Sequence, residues 1–310
     1  MSNDNIAIEF KNVVKEFKNQ KILDNLSFKV NKGEFHGFIG ANGAGKTTSF
    51  RSLLNFYPDV KGEILINGKS FRDAKARDVL GYVPEVATFP KRLTVHNYLC
   101  SLAELSGFSH AESVKKVDKW LDYFNIPSEI RKKNGNSLSS GQKKKILLIQ
   151  ALIHDPSILI LDEPAANLDP KVRIEIFEHL KKLNESGKTI FISSHILLEL
   201  EQYIDSITVL DKGRLIDTGL IKDKINNDSY PFIIKTIEPE RVIEVLKETT
   251  KNNNNDWFKK AKKGVIFSGE EKILPLVMKE LVTKKIQFTL VGYNKKTLNE
   301  LYFNELNSQS

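Results

Sequence analysis

The sequence predicts an α/β fold: a helix-covered parallel sheet over residues 1–219, then a small second α/β domain over 220–310. Three observations carry that expectation. An apolar run at Phe35–Ile39, polar only at His36, leads straight into a glycine-rich loop. Short apolar runs at Ile158–Leu161, Thr189–Ile192 and Ile207–Leu210 alternate with helix-like segments through short connections, as in a parallel sheet. After residue 220, strand-like and helix-like runs alternate again without a second glycine-rich loop.

The length of 310 residues corresponds to roughly two domains of about 150 residues. With 40% hydrophobic and 28% charged residues, the chain can build a core and is no disordered tail. One cysteine, Cys100, excludes an internal disulfide and a clustered thiolate metal site. The N-terminal MSNDNIAIEF is polar and acidic, unlike a signal peptide. The longest apolar stretch, Ile146–Ile153, is broken by Gln150 and falls short of the ~20 residues that span a bilayer. The expectation is a soluble, cytoplasmic chain. The net charge of +8 is spread along the sequence and leaves nucleic acid, a membrane surface or simple solubility open. The clusters Arg131-Lys132-Lys133 and Lys143-Lys144-Lys145 read as solvated faces.

Taken in order, Ile6, Ile8 and Phe10 alternate with other residues, as does Leu26–Val30, and both predict half-buried strands. Asn31-Lys32-Gly33 is a turn, and Glu63–Ile66 before Asn67-Gly68 predicts a hairpin. Residues of about 89–152 read as a helical insert. Thr94 caps a helix running to Ser106, and Val114, Val117, Leu121 and Phe124 share one helical face. Ser139 or Ser140 caps a helix beginning near Gly141. Asp169, Pro170 and Gly187 suit the cap, first position and end of a further helix. In 220–310, strands are expected at Phe232–Ile234, Val265–Phe267 and Ile286–Val291. Helices are expected at Arg241–Glu248, Lys272–Val282 and Thr297–Leu306, the last with capping-box spacing at Thr297 and Glu300. Asn252–Asn255 reads as a low-complexity loop.

The chemistry concentrates in three places. Gly40-Ala41-Asn42-Gly43-Ala44-Gly45-Lys46-Thr47 fits G-x-x-x-x-G-K-[ST] between a predicted strand and helix, the context this motif requires. Glycines let the backbone curl so that several N–H groups converge on phosphate oxygens, and the helix adds its positive end. Lys46 reaches the terminal phosphates and Thr47 ligates Mg2+, with Thr48 next in the loop. Ile158–Leu161 ends in Asp162-Glu163, at the strand edge where open α/β sheets bind ligands. Asp162 is placed to hold Mg2+ through water, and Glu163 to orient or deprotonate an attacking water. Leu138-Ser139-Ser140-Gly141-Gln142 offers a serine hydroxyl and a helix N-terminus to an anion.

In this order GANGAGKTT, LSSGQ, ILILDEP, ANLDP and SSHILLELE resemble the ATPase subunit of an ATP-binding cassette (ABC) transporter over about residues 6–219. The resemblance implies a P-loop NTPase cassette, with a parallel core sheet, an antiparallel β subdomain and the helical insert, that binds ATP and Mg2+. It implies that Phe17 stacks on adenine and that His195 touches the γ-phosphate. It implies that Ser139, Gly141 and Gln142 contact ATP held by another subunit, and that Asn167-Leu168-Asp169 crosses the dimer interface. Two residues depart from the family pattern: Ser140 stands where glycine is usual, and Glu85 where glutamine is usual, still able to bind Mg2+ or water. A glutamate there resembles the exporter-type, ABC-2-like drug-export subgroup, and residues 220–310 resemble the α/β tail of such ATPases. The implied partners are a separate integral-membrane permease subunit and a second ATPase subunit, identical or different, at the cytoplasmic face of the membrane. No nucleic-acid partner is expected. A soluble ABC ATPase acting on nucleic acid or ribosomes is the alternative, which the basic balance keeps open. A third reading is a nucleotide-binding regulator without turnover, should Ser140 and Glu85 block hydrolysis.

Overall fold

The computed structural model describes residues 5–18, 20–195, 200–225, 230–250 and 255–294, together with Tyr302. The chain divides into two units, Met1–Leu220 and Ile221–Ser310. In the first, β1 (Ile6–Phe17) buries Ile8, Phe10 and Val13 and pairs antiparallel with β2 (Gln20–Asn31). β3 (Phe35–Ile39) is buried at every residue and leads through the glycine-rich loop into α1 (Lys46–Leu53). β4 (Lys61–Ile66) returns antiparallel to β1, and β5 (Lys69–Ser70) closes its hairpin. Asn67 and Gly68 at the turn have φ of 48° and 77°, the left-handed pair that a two-residue primed turn requires.

After α2 (Ala74–Arg77), β6 (Leu80–Val83) enters a second sheet. A Cβ at Gly81 would meet the Ala151 carbonyl oxygen at 2.3 Å, so the strand approaches its covering helix only as glycine. The insert follows as α3 (Val95–Leu105), α4 (His110–Tyr123), α5 (Ser128–Arg131) and α6 (Ser140–Leu152). Its three long helices are capped by Thr94, Ser109 and Ser139, which accept from the amides of Asn97, Glu112 and Gln142. Val117, Leu121 and Phe124 turn inward as their spacing predicts. β7 (Ile158–Leu161), α7 (Pro170–Glu185), β8 (Thr189–Ser194), β9 (Ser206–Asp211) and β10 (Arg214–Leu220) complete the unit.

The two sheets run β2-β1-β4-β5 and β10-β9-β3-β8-β7-β6. The second is parallel from β9 to β6, with β10 antiparallel at its edge. Its core lies where Phe28 of β2, Phe38 of β3, Phe50 of α1 and Phe191 of β8 meet, with ring centroids 5.2 Å apart for Phe38–Phe191 and 4.8 Å for Phe50–Phe191. The sequence does not predict β10, whose residues are all exposed or half-buried and so carry no apolar run. Asp169 stands at the cap position of α7, but its side chain makes no capping hydrogen bond; Pro170 starts the helix instead.

The second unit begins with α8 (Ile221–Ile225) and continues as β11 (Phe232–Thr236), α9 (Pro239–Thr250), β12 (Phe258–Ala261), β13 (Gly264–Phe267), α10 (Ile273–Thr283) and β14 (Phe288–Tyr293). The strands form one antiparallel sheet in the order β12-β13-β11-β14. Val242, Val245 and Leu246 of α9 and Val277 and Leu281 of α10 pack with Phe232, Ile234, Val265 and Phe267. β12 escapes prediction because two lysines occupy its centre, and Ile286 precedes β14 rather than opening it. The expected helix at 297–306 (Tyr302 aside), the loop at 252–254 and residues 196–199 of the SSHILLELE motif lie outside the described residues. Among the described residues no helix is long and apolar enough to cross a membrane.

His36, the polar residue of β3, is 1% exposed. Its ring nitrogens contact Ser206 Oγ at 2.6 Å and Thr208 Oγ1 at 2.8 Å. Burial pulls its pKa down to about 3, and the Glu34 carboxylate 3.9 Å away does not offset that. An unfolded histidine titrates near 6.5. Between those values the unfolded chain binds a proton that the folded chain does not, so stability falls as pH falls. The slope from this group is about 1.4 kcal/mol per pH unit. Urea unfolding from pH 7 to 4.5 should therefore decline less steeply in His36→Leu than in the wild type. Equal slopes would place the acid sensitivity elsewhere.

Candidate active site

The loop between β3 and α1 curls through left-handed glycines, Gly43 at φ 84° and Gly45 at φ 107°. Gly45 also has no room for a side chain, because a Cβ would lie 2.9 Å from Leu23 Cδ2 and 3.1 Å from the Ile22 carbonyl oxygen. The curl brings the Gly40 and Ala41 carbonyls onto Lys46, whose Nζ donates to them at 2.7 and 3.2 Å. The same ammonium stands 3.4 Å from Glu163 Oε1.

β7 delivers the two acids. Its four residues are buried, and the strand ends in Asp162, 1% exposed, and Glu163, 8% exposed. Burial pushes Asp162 above the usual carboxylate range, opposed by hydrogen bonds from the Ser193 and Thr47 hydroxyls. Ser193 Oγ donates to Asp162 Oδ1 at 2.8 Å and accepts from the Glu163 amide at 2.9 Å. Glu163 itself is left-handed at φ 45°. Its Oε2 accepts from His195 Nδ1 at 2.8 Å. Its Oε1 is buried and finds no hydrogen-bond donor among the described residues.

One cavity of about 860 Å³ gathers Phe17, Asn42, Gly43, Gly45, Lys46, Thr47, Thr48, Glu85, Glu163 and His195 in its wall. Gly40, Ala41 and Ala44 shape the loop without lining the cavity, and Asp162 is not in its wall. Phe17 is 39% exposed, unlike a core phenylalanine. Its ring meets Tyr57 edge-on at 5.1 Å and lies 4.4 Å from Lys15 Nζ. Ser139, Gly141 and Gln142 are not in this wall. They form the cap and first turn of α6, with Ser139 exposed, Gly141 buried and Gln142 half-buried, and Ser139 Oγ accepts from the Gln142 amide at 3.3 Å. Gly141 packs so closely that a Cβ would meet Val172 at 2.7 Å, whereas Ser140 is exposed.

The sequence reading misses three residues here. Ser193 bridges the two acids, and Arg173 lines the cavity while donating to the Leu168 carbonyl at 2.9 Å. The third corrects an expectation: the Lys143–Lys145 triplet is not a solvated face. Lys144 is 6% exposed, and Lys145 pairs with Glu175 at 2.6 Å. Burial pulls the Lys144 ammonium down to about 8 against the charges of Glu85, Asp162 and Glu163. The signal was available, since three successive residues on a helix point about 100° apart and cannot all face solvent on a packed helix.

The family model for ABC transporters matches residues 23–166. An ABC transporter ATP-binding protein of Mycoplasma pneumoniae is 46% identical over 244 residues, 77% of this chain and 74% of the relative. The chain belongs to the ATP-binding subunits of ABC transporters. A second such protein, from Bacillus subtilis, is 34% identical over 96% of this chain and 94% of its own length. The linearmycin resistance ATP-binding protein of Bacillus subtilis is 29% identical over 96% and 97%. Among solved structures, an ATP-binding subunit of an ABC transporter superposes with a TM-score of 0.64 at 30% identity, covering 70% of this chain and 91% of that one. A dimeric post-hydrolysis cassette bound to ADP and Pi gives 0.64 at 25% identity, covering 69% and 98%. The cassette is thus an ATP-binding, ATP-hydrolysing subunit that powers transport.

Ser193 is the least visible support of this site. Ser193→Ala leaves the Glu163 amide and one Asp162 oxygen short of a buried partner, at a cost of about 1–3 kcal/mol. The expected result is a lower thermal midpoint with an unchanged native spectrum. An unaltered midpoint would show that the bridge contributes nothing to stability.

Proposed function

We propose that this cassette hydrolyses ATP in the cavity between the glycine-rich loop and the tip of β7, and so drives export through a separate integral-membrane permease. The observation that carries the reading is the Glu163 carboxylate. His195 fixes one oxygen; the other is buried beside Lys46 and has no hydrogen-bond donor among the described residues, while Glu163 itself lines the cavity. A buried carboxylate oxygen left in that state suits a group waiting to accept a proton from water. Phosphates entering the loop meet the amides of 40–48 and the ammonium of Lys46, now held by the Gly40 and Ala41 carbonyls and by Glu163. Once Lys46 turns to phosphate, Glu163 Oε1 is released toward the attacking water, and His195 keeps the carboxylate oriented. Phe17 offers its exposed ring to the base.

Thr47, Asp162 and Glu85 supply oxygen donors of the kind a hard cation takes. Among the described residues no group of three or more His, Cys, Asp or Glu could hold a metal unaided, so phosphate oxygens would have to complete the shell. Bound there, Mg2+ would neutralise charge on the phosphates. Ser139, Gly141 and Gln142 lie outside the cavity and are proposed to complete the site of a second cassette, identical or different, with Asn167-Leu168-Asp169 at the same interface. The dimeric ADP- and Pi-bound structure supports that arrangement. A Nod factor export ATP-binding protein of Burkholderia lata, 36% identical over 71% of this chain and 74% of its own length, supports export, and the resistance relative's alignment over nearly the whole chain supports an accessory α/β role for Ile221–Ser310. Work at the cytoplasmic face of a membrane follows from that reading. The nucleic-acid alternative finds no support: Arg131 is engaged with Asp118 and Asp122, and Lys144 is buried.

The test is ATPase rate against protein concentration. The rate per molecule should rise with concentration as cassettes pair. Glu163→Gln should lower kcat at least about 100-fold while still binding ATP, the usual worth of a general base. It should also elute as a dimer with ATP. A wild-type rate no higher than that of Glu163→Gln contradicts the assignment.

A further inference from the structure

Lys144 has a place in this geometry that the nucleotide motifs do not explain. Its Nζ donates to the Glu85 carbonyl at 2.6 Å, the Pro84 carbonyl at 3.1 Å and, more loosely, the Glu163 carbonyl at 3.4 Å. These acceptors belong to two segments far apart in sequence. One is the loop after β6 that presents Glu85 to the cavity; the other is the turn after β7 that presents Glu163. The donor belongs to a third segment, the helix whose cap is Ser139. An ammonium carries three N–H donors and no acceptor, so three carbonyls match it fully. The adjacent lysine is engaged elsewhere, with Glu175 of α7.

We propose that Lys144 is a positioning residue that locks the Ser139-bearing helix, the Glu85 loop and the Glu163 turn into one rigid body. The proposal rests on the ATPase reading of the same cavity. Its consequence is mechanical. A displacement of the Glu85 loop is passed through one side chain to the start of α6 and to the carboxylate of Glu163. Sites on three segments then respond to nucleotide together. Lys144 hydrogen-bonds to backbone oxygens of these loops, so its loss alters where the acids stand, besides removing a positive charge near them.

Two measurements on the full chain test this. Lys144→Met keeps the length of the side chain and removes every donor; Lys144→Gln keeps two N–H donors. Amide hydrogen exchange should quicken about tenfold at both 84–87 and 163–167 in Lys144→Met, the worth of about one lost hydrogen bond. Lys144→Gln should lie between it and the wild type, and it serves as the comparison if Lys144→Met does not fold. Lys143→Met, one position along the helix, should leave both segments unchanged. In ATPase assays, kcat should fall about tenfold in Lys144→Met while KM for ATP stays near the wild-type value, as expected when loop and lysine contacts to nucleotide persist. A general loosening of α6, with no joint response of the two loops, would mean that Lys144 only fills space and would overturn the proposal. Wild-type exchange in both loops of Lys144→Met would overturn it equally. Should wild-type turnover not exceed that of Glu163→Gln, the ATPase reading fails, while the exchange data still decide whether the clamp exists.

Discussion

The site depends on the strand order β3-β8-β7 within one parallel sheet. Parallel pairing sets the carboxyl ends of all three strands on the same edge, with neighbours about 4.8 Å apart. The glycine-rich loop leaves β3, the Ser193 and His195 segment ends β8, and Asp162-Glu163 ends β7. Register then decides which groups meet. Leu161 is paired with Ile192, so the next residues in each strand, Asp162 and Ser193, stand opposite and bond. A shift of one residue would turn Ser193 to the other face and leave the Glu163 amide unpaired.

This edge collects ionisable side chains that water barely reaches: Lys46, Lys144, Asp162 and Glu163 are all less than 9% exposed. Buried charge is tolerated only when it is paired or hydrogen-bonded. Each of the four is answered differently. Lys46 faces the Glu163 carboxylate and two carbonyls, Lys144 faces three carbonyls, Asp162 takes two hydroxyls, and Glu163 takes a hydrogen bond from histidine on one oxygen and the Lys46 charge beside the other. The site is thus set in advance, with one Glu163 oxygen left buried and without a hydrogen-bond donor among the described residues. Preorganised polar groups of this kind act without reorganisation when charge develops.

Much of this arrangement is legible in the sequence because it is carried by short, local signals. The loop from Gly40 to Thr47 needs glycines for its backbone, and the apolar run before Asp162 needs burial on both faces; both leave marks in consecutive residues. The cap at Ser139 is equally local. Lys144 is legible only in part: helix geometry says that one lysine of the triplet turns inward, but its partners are carbonyls 59 and 60 residues away in the chain, which no local signal marks. β10 and β12 fail for a related reason: edge strands need little apolar sequence, and their polar residues resemble loop. Phe17 is marked only by the family resemblance, since nothing in its local pattern sets it apart, and the fold leaves its ring open to the cavity.

The most direct measurement of the account is a crystal structure of Glu163→Gln with ATP and Mg2+. The account predicts that the terminal phosphate lies on Lys46, that Lys46 has left the carbonyls of Gly40 and Ala41, and that the side chain at 163 faces a water beside that phosphate. A nucleotide bound elsewhere, or a Lys46 still turned back onto its own loop beneath bound ATP, would contradict it.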